Sequence, residues 1–327
     1  MTDDTGLSRR VGVLEAFGLV PLADTVAAVR RITGQRGQEA PPRLGPSSVR
    51  IFKPGMGLPA WLGLRRADRR VPVYNLFNRV PAPRGTGYSV RVTFARDFRG
   101  GRHTYDGHLG TDFVCPIGTP VTAAAPGVVL RVGCELDRGG LKVCIDHGDG
   151  LFVTCNHLSR ALVRPGERVR RGQVVALSGA SGLEFLPFFP WVAPHLHYNT
   201  WLDGTPTDPF ARAGEVSLWR RPNDPEPTGP PARYDAGDVG FRPSAWSERG
   251  VREAIDCCRD PDVRAACLAR PTLAERAAEV LLQRNYRTSI FDGFPDVYAE
   301  RHARAPRLDL PFRDADYVGL WLPPVSA

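Results

Sequence analysis

"LKVCIDHGDGLFVTCNHLS", residues 141–159, reads as two short strands joined by a tight turn. Apolar residues recur through both arms, and HGDG at 147–150 supplies the Gly and Asp that a hairpin connection needs. The same pattern continues on either side. "PVTAAAPGVVLRVG" at 120–133 and "VVALSG" at 174–179 are further short segments bounded by Gly, Asp or Pro. Strands this short and closely spaced predict an antiparallel sandwich or barrel. Counting back from the turn sets Cys144 opposite about Val153 and Cys155 opposite about Lys142, so these two cysteines are not expected to bond to each other.

Outside this region the pattern changes. Residues 11–33 read as an amphipathic helix, and "GQRGQEAPPRLGPS" at 34–47 as a linker. "YSVRVTF" at 88–94 reads as a strand within a lead-in of Pro- and Gly-broken apolar runs. "WRRPNDPEPTGPPARYDAGD" at 219–238 holds five prolines and little apolar content, so it reads as the clearest linker. Beyond it, apolar residues recur every three or four positions, with Ser244 and Thr272 as expected caps. The expected organisation is an N-terminal helix and linker (1–47), a lead-in β/loop region (48–98), a β domain (99–212), a Pro-rich linker (213–240) and a helical C-terminal extension (241–327). The fold class is mainly β, small and sandwich- or barrel-like, and α+β overall once the helical ends are counted.

With 42% hydrophobic and 24% charged residues among 327, the chain has the composition of a folded protein. A net charge of +8, nearly all of it Arg, suits an anionic partner such as a cell-wall polymer, nucleic acid or lipid headgroups. The Arg residues are spread along the chain and accompanied by acids, so no specific nucleic-acid interface is expected. Seven cysteines, an odd number without dense spacing, predict reduced thiols. No apolar run reaches the roughly 18 residues of a membrane span. The N-terminal Arg-Arg segment is interrupted by Glu15 and Asp24 and has no clean cleavage site, so the sequence by itself reads as cytoplasmic.

Four of the seven histidines fall in a pattern: His108 with Asp112 in "GHLGTDF", His157 in "CNHLS", and His195 with His197 in "PHLHY". On a strand, His195 and His197 project from one face. Imidazole and carboxylate are both good zinc ligands, and a catalytic zinc commonly takes three protein ligands. His108, Asp112 and one histidine of the pair would supply that set, leaving two histidines for proton transfer. The segment "EFLPFFPWVA" at 184–193, ahead of "PHLHY", is almost wholly apolar and carries prolines at 187 and 190. It is expected to form a loop that either walls a substrate groove or docks on the flanking extensions.

Residues 100–210, about one third of the chain, resemble the lysostaphin/LytM-like zinc metallopeptidases. The resemblance rests on "GHLGTDFVCPIGTPVTAAAPGVVLRVG", on "RPGERVRRGQVVALSG" and on "PHLHYNTWLDGTPTDPF". It implies one Zn²⁺ per chain held by His108, Asp112 and His197, with His157 and His195 completing the catalytic site. It further implies a zinc metalloendopeptidase that hydrolyses peptide bonds in peptidoglycan cross-links by attack of a zinc-activated water, assisted by the two histidines. The partner is then peptidoglycan or a peptide, in the cell envelope or outside the cell. Two alternatives stand beside this reading: a catalytically silent regulator or wall-binding module of the same fold, and a zinc hydrolase of a non-wall peptide. All five motif residues are present, which disfavours the silent form.

Overall fold

The computed structural model describes residues 10–20, 25–26, 43–80, 88–135, 139–229, 241–286 and 288–325. Near the N-terminus lies a single helical turn, α1 (Val13–Ala16), and further on a short 3-10 helix (Pro46–Ile51) leads into α2 (Pro54–Trp61). Strands follow: β1 (Arg70–Asn75), β2 (Thr111–Val114), β3 (Pro120–Thr122), β4 (Gly127–Glu135), β5 (Gly140–Asp146), β6 (Leu151–Ala161), β7 (Arg168–Val169) and β8 (Val174–Ser178). After another single turn, α3 (Phe185–Phe188), come β9 (His195–Leu202), β10 (Thr205–Pro206) and β11 (Pro227–Thr228). Three helices, α4 (Glu248–Asp256), α5 (Pro261–Leu268) and α6 (Leu273–Tyr286), precede β12 (Leu310–Arg313) and β13 (Gly319–Trp321). The class is mainly β and barrel-like. The path of paired strands runs β11-β12-β3-β8-β6-β9-β2-β1-β13, with β5 and β4 attached beside β6.

The hairpin of β5 and β6 explains how the strands are covered. Side chains alternate across a strand. Val143, Ile145, Val153 and Cys155 enter the main core beneath the sheet. Cys144 and Phe152, pointing the other way, join Leu130 and Trp201 in a second core with Val251, Ala277, Val280 and Leu281 of the C-terminal helices. Both faces of the hairpin are therefore buried. At the turn, Gly148, Asp149 and Gly150 all take positive φ, which the HGDG sequence tolerates. The register is Val143 opposite Cys155 and Cys144 opposite Thr154, one residue off the sequence-based count. All seven cysteines are free thiols.

Several expectations need correction. The region 241–327 is not helical throughout: β12 pairs with β3 and β13 with β1, so the chain's end returns to the sheet. The Pro-rich segment is no free linker over its described part, because Leu218 and Trp219 are buried in the main core. The helix expected over 11–33 is only the α1 turn and Thr25–Val26 among the described residues, and most of the remainder falls outside them. "YSVRVTF" forms no strand. Ser89 makes one isolated bridge to Arg43, and the strand of the lead-in is β1, which pairs with β2 instead. Thr272 caps α6 as expected, accepting from Glu275 N at 3.2 Å. The first helix is capped by Ser247, whereas Ser244 is drawn away to Asp146, which its hydroxyl meets at 2.6 Å. Among the described residues no helix is long and apolar enough to cross a membrane.

A buried ionic network ties the helices to the sheet. The Arg131 guanidinium on β4 donates to Glu279 of α6 at 2.8 Å and to Glu135 at 2.9 Å, while Lys142 on β5 meets Glu135 at 2.6 Å. Arg270 adds a second cation on Glu279 at 2.8 Å. Glu279 is 1% exposed and Lys142 0%, so these charges are held by one another and not by water. Removing one partner strands buried charge, which costs several kcal/mol. Glu279→Ala is expected to lower the unfolding free energy by about 3 kcal/mol in urea titration; a loss under about 1 kcal/mol would show that the network is not what holds α6 to the sheet.

Candidate metal centre

Three adjacent antiparallel strands build the site. On β2 and β9, Asp112 stands directly opposite His197 and Val114 opposite His195. Period-two alternation puts both histidines on the face toward Asp112. On the other side of β9, Asn156 of β6 is opposite His197. His157, one residue on, would therefore point away with Leu196 in a regular strand. It takes φ +60 instead, at a register shift between β5 and β6. This local kink re-aims the ring toward the histidine pair, with centroids 4.8 Å from His195 and 5.8 Å from His197. His108 comes from the loop before β2. Gly110 in that loop lets it approach, since a Cβ there would sit 2.8 Å from His197 Cε1 and Nε2.

The five predicted side chains converge. Asp112 Oδ1 lies 2.6 Å from His197 Nδ1, 3.1 Å from His108 Nε2 and 3.6 Å from His195 Nε2. The outer nitrogen of three rings is tied to a backbone carbonyl: His108 Nδ1 to Leu76 O at 2.7 Å, His195 Nδ1 to Ala193 O at 2.7 Å and His157 Nδ1 to Ser181 O at 2.8 Å. A carbonyl only accepts, so each Nδ1 carries the proton and each Nε2 presents a lone pair. That tautomer is the one an imidazole needs to hold a metal through Nε2. Ligand atoms of His108, Asp112 and His197 all lie within 4.8 Å of one another, as do those of His157, His195 and His197. Both sets are of donor types that zinc takes, and the first adds a carboxylate's negative charge to two imidazoles.

Burial sets the protonation states. It would by itself raise the Asp112 carboxyl, but the facing imidazoles of His108, His195 and His197 outweigh it and hold the group well below the usual carboxylate range. Burial lowers His157 strongly, reinforced by His195 and His197. It also lowers His195 and His197, against the opposing pull of Asp112. Near neutral pH the site thus holds an anionic carboxylate, with His157, His195 and His197 as neutral rings.

A supporting set of residues went unread in the sequence. Asn75 donates through Nδ2 to Asp112 Oδ2 at 2.8 Å and accepts at Oδ1 from Lys53 Nζ at 2.9 Å. Asn199, two residues beyond His197, donates to Leu109 O at 2.8 Å and accepts from Asn156 at 3.0 Å, joining the His108 loop to β6. The Tyr74 ring stacks on His195 at 5.5 Å, and the Tyr105 ring lies 4.7 Å from His108. Asn75 and Tyr74 lie more than thirty positions before the histidine motif, so only the β1–β2 pairing reveals them. Asn199 shares the face of His195 and His197 by the same alternation, which is the one signal that could have found it.

The apolar segment 183–193 divides between its two expected roles. It makes a helical turn, α3, where only a loop was expected. Phe185 is fully buried, with ring centroids 5.0 Å from His157 and 5.4 Å from His195, so it walls the site. Phe188 packs on Phe52 and Phe189 on Trp61, docking the segment onto the lead-in helices. His147 is buried at the hairpin turn, with Nδ1 bonded to Pro126 O at 2.9 Å. His302 in the C-terminal segment is pinned to Asp203 at 2.7 Å.

With this geometry in place, comparison with known proteins is direct. Residues 106–209 match the model of peptidase family M23. An uncharacterised metalloprotease of Haemophilus influenzae is 36% identical over 103 residues, covering 32% of this chain and 20% of that protein. The peptidoglycan DD-endopeptidase ShyA of Vibrio cholerae is 40% identical over 101 residues, covering 31% and 22%. A glycyl-glycine endopeptidase of Staphylococcus capitis is 34% identical over 108 residues, covering 32% and 28%. The chain thus spans less than a third of the length of these relatives, and the likeness is confined to the part that carries the five convergent residues. Over residues 106–209 this chain is a peptidase family M23 domain.

Proposed function

We propose that the chain is a zinc-dependent metalloendopeptidase that hydrolyses peptide bonds in peptidoglycan cross-links. The observation that carries this reading is the meeting of His108, Asp112 and His197 around one point, with the Nε2 lone pairs of His157 and His195 nearby. The names of relatives similar over the same residues, a peptidoglycan DD-endopeptidase and a glycyl-glycine endopeptidase, support the substrate class.

His108, Asp112 and His197 would hold the ion, and Asn75 fixes the carboxylate's orientation from behind. When bound, zinc polarises the scissile carbonyl and lowers the pKa of a water from 15.7 toward about 7. His195 is held as a proton acceptor by Ala193 O and by the flanking rings of Tyr74 and Phe185. Its Nε2 can take the proton from the attacking water as the new C–O bond forms. That proton can then pass to the leaving amine nitrogen as the C–N bond breaks. His157, held as Nδ1–H by Ser181 O, faces the same space from β6. Once protonated, either ring could donate to the oxyanion of the tetrahedral intermediate. His108, His157 and His195 are buried and His197 is half-buried, which limits the access of competing water.

His108→Ala and His197→Ala are expected to lose both zinc and activity, because a ligand is gone. His195→Ala and His157→Ala should keep about one zinc per chain, measured by elemental analysis, while activity on peptidoglycan fragments falls by roughly 10²–10⁴. Loss of zinc in His195→Ala would instead place the metal on the other histidine set. Asn75→Ala leaves the Asp112 carboxylate free to rotate, so zinc affinity in chelator competition should weaken about 10–100-fold; an unchanged affinity would remove Asn75 from the supporting role.

A further inference from the structure

A second polar pocket lies behind the metal centre, built wholly from residues outside the 106–209 match. It has a volume of about 240 Å³ and is lined by Arg50, Lys53, Asn75, Arg102, His103 and Thr104 among others. Three separate segments meet here. Arg50 comes from the 3-10 helix and Lys53 from the residue capping α2. Asn75 ends β1, and the loop at 102–104 is anchored by Leu76 N donating to His103 O at 2.8 Å.

The charge in this pocket is one-sided. Among the described residues, neither Arg50 nor Arg102 has an ion-pair or hydrogen-bond partner for its guanidinium. The Lys53 ammonium donates to Tyr74 O and Asn75 Oδ1, with no carboxylate in contact. His103 adds no charge. Its Nε2 lies 3.0 Å from Val73 O, and burial followed by the Lys53 charge pushes the ring down to about 3. Both acids on this loop are occupied: Asp97 by the backbone N–H groups of Arg99, Gly101 and His103 and by the Arg99 guanidinium, and Asp106 by the backbone N–H groups of Thr93 and Phe94 and the Ser89 hydroxyl. Thr104 is 3% exposed and lines the pocket, yet its Oγ1 has no hydrogen-bond partner. A buried hydroxyl without a partner is costly, and cations gathered without an anion repel one another. A small oxyanion would relieve both, accepting from two guanidinium forks and the hydroxyl.

We propose that this pocket binds a carboxylate, and that the site is wired through Lys53 and Asn75 to the Asp112 carboxylate. Burial already pushes Lys53 down to about 7, so an anion beside it would restore its full charge and tighten its bond to Asn75. The carboxylate can come from the peptide substrate itself or from a free small acid. The binding claim stands alone, whereas the substrate source rests on the peptidase reading above.

The test uses the zinc-loaded, ¹⁵N-labelled full chain titrated with N-acetylalanine and, separately, with N-acetylalanine amide. The carboxylate is expected to shift the amide signals of His103 and Thr104 saturably, and the neutral amide is not. The double variant R50Q/R102Q should weaken that binding at least about 10-fold at an unchanged melting temperature. Thr104→Val should weaken it independently. Absence of shifts at 103–104, equal shifts from the neutral amide, or unchanged affinity in R50Q/R102Q would overturn the proposal; the last would mean that the carboxylate sits on the metal. The source is read from turnover. A raised KM in R50Q/R102Q for a peptide with a free C-terminal carboxylate, but not for its C-terminal amide, supports the substrate. A change in turnover of the amidated peptide on adding acetate, lost in R50Q/R102Q, supports a free acid. A protein that turns over no peptide but shows the predicted shifts would sink the peptidase reading and leave the carboxylate site standing.

Discussion

Asp112 and His197 stand opposite each other across β2 and β9, and the site follows from that pairing. The register places a carboxylate against an imidazole and sets His195 on the same face. A one-residue slip would turn every one of these side chains to the opposite side. A buried carboxylate is tolerable only if opposite charge or strong donors surround it. Here the Asn75 amide and His197 Nδ1 lie within hydrogen-bond reach of it, and together with His108 and His195 the same arrangement aims several ligand atoms at one point.

The C-terminal helices matter to this site although they stand apart from it. β5 and β6 are covered on one face by the main core and on the other by α4–α6. That double cover dries the strand carrying His157 and lets its kink persist at φ +60, a strained value for a non-glycine residue. The lead-in plays a matching part on the other flank. β1 supplies Asn75 and Tyr74, and α2 with the α3 turn supplies an aromatic cluster in which Phe185 walls the histidines. The family-matched segment is thus set in a frame built by the rest of the chain.

Much of this was readable in the sequence, for identifiable reasons. Alternating apolar residues around HGDG specify a hairpin, and His-x-His on a strand specifies a shared face, because both are local consequences of strand geometry. What escaped was non-local. No window around residues 310–321 reveals that those strands pair with β1 and β3. Nor does the Pro-rich segment announce that Trp219 is fully buried in the core. The partner of His302, Asp203, is likewise 99 residues away. The kink at His157 was equally hidden, since strand counting alone would point that ring away from the site.

The central claim is that His108, Asp112 and His197, and not the neighbouring set of His157, His195 and His197, hold the metal. Anomalous diffraction at the zinc edge from crystals of the zinc-loaded protein tests it most directly. The account predicts a single peak about 2.0–2.2 Å from one nitrogen each of His108 and His197 and from an Asp112 oxygen. It also predicts His157 and His195 beyond bonding distance of that peak. A peak bonded to His157 and His195, or none at full zinc loading, would contradict it.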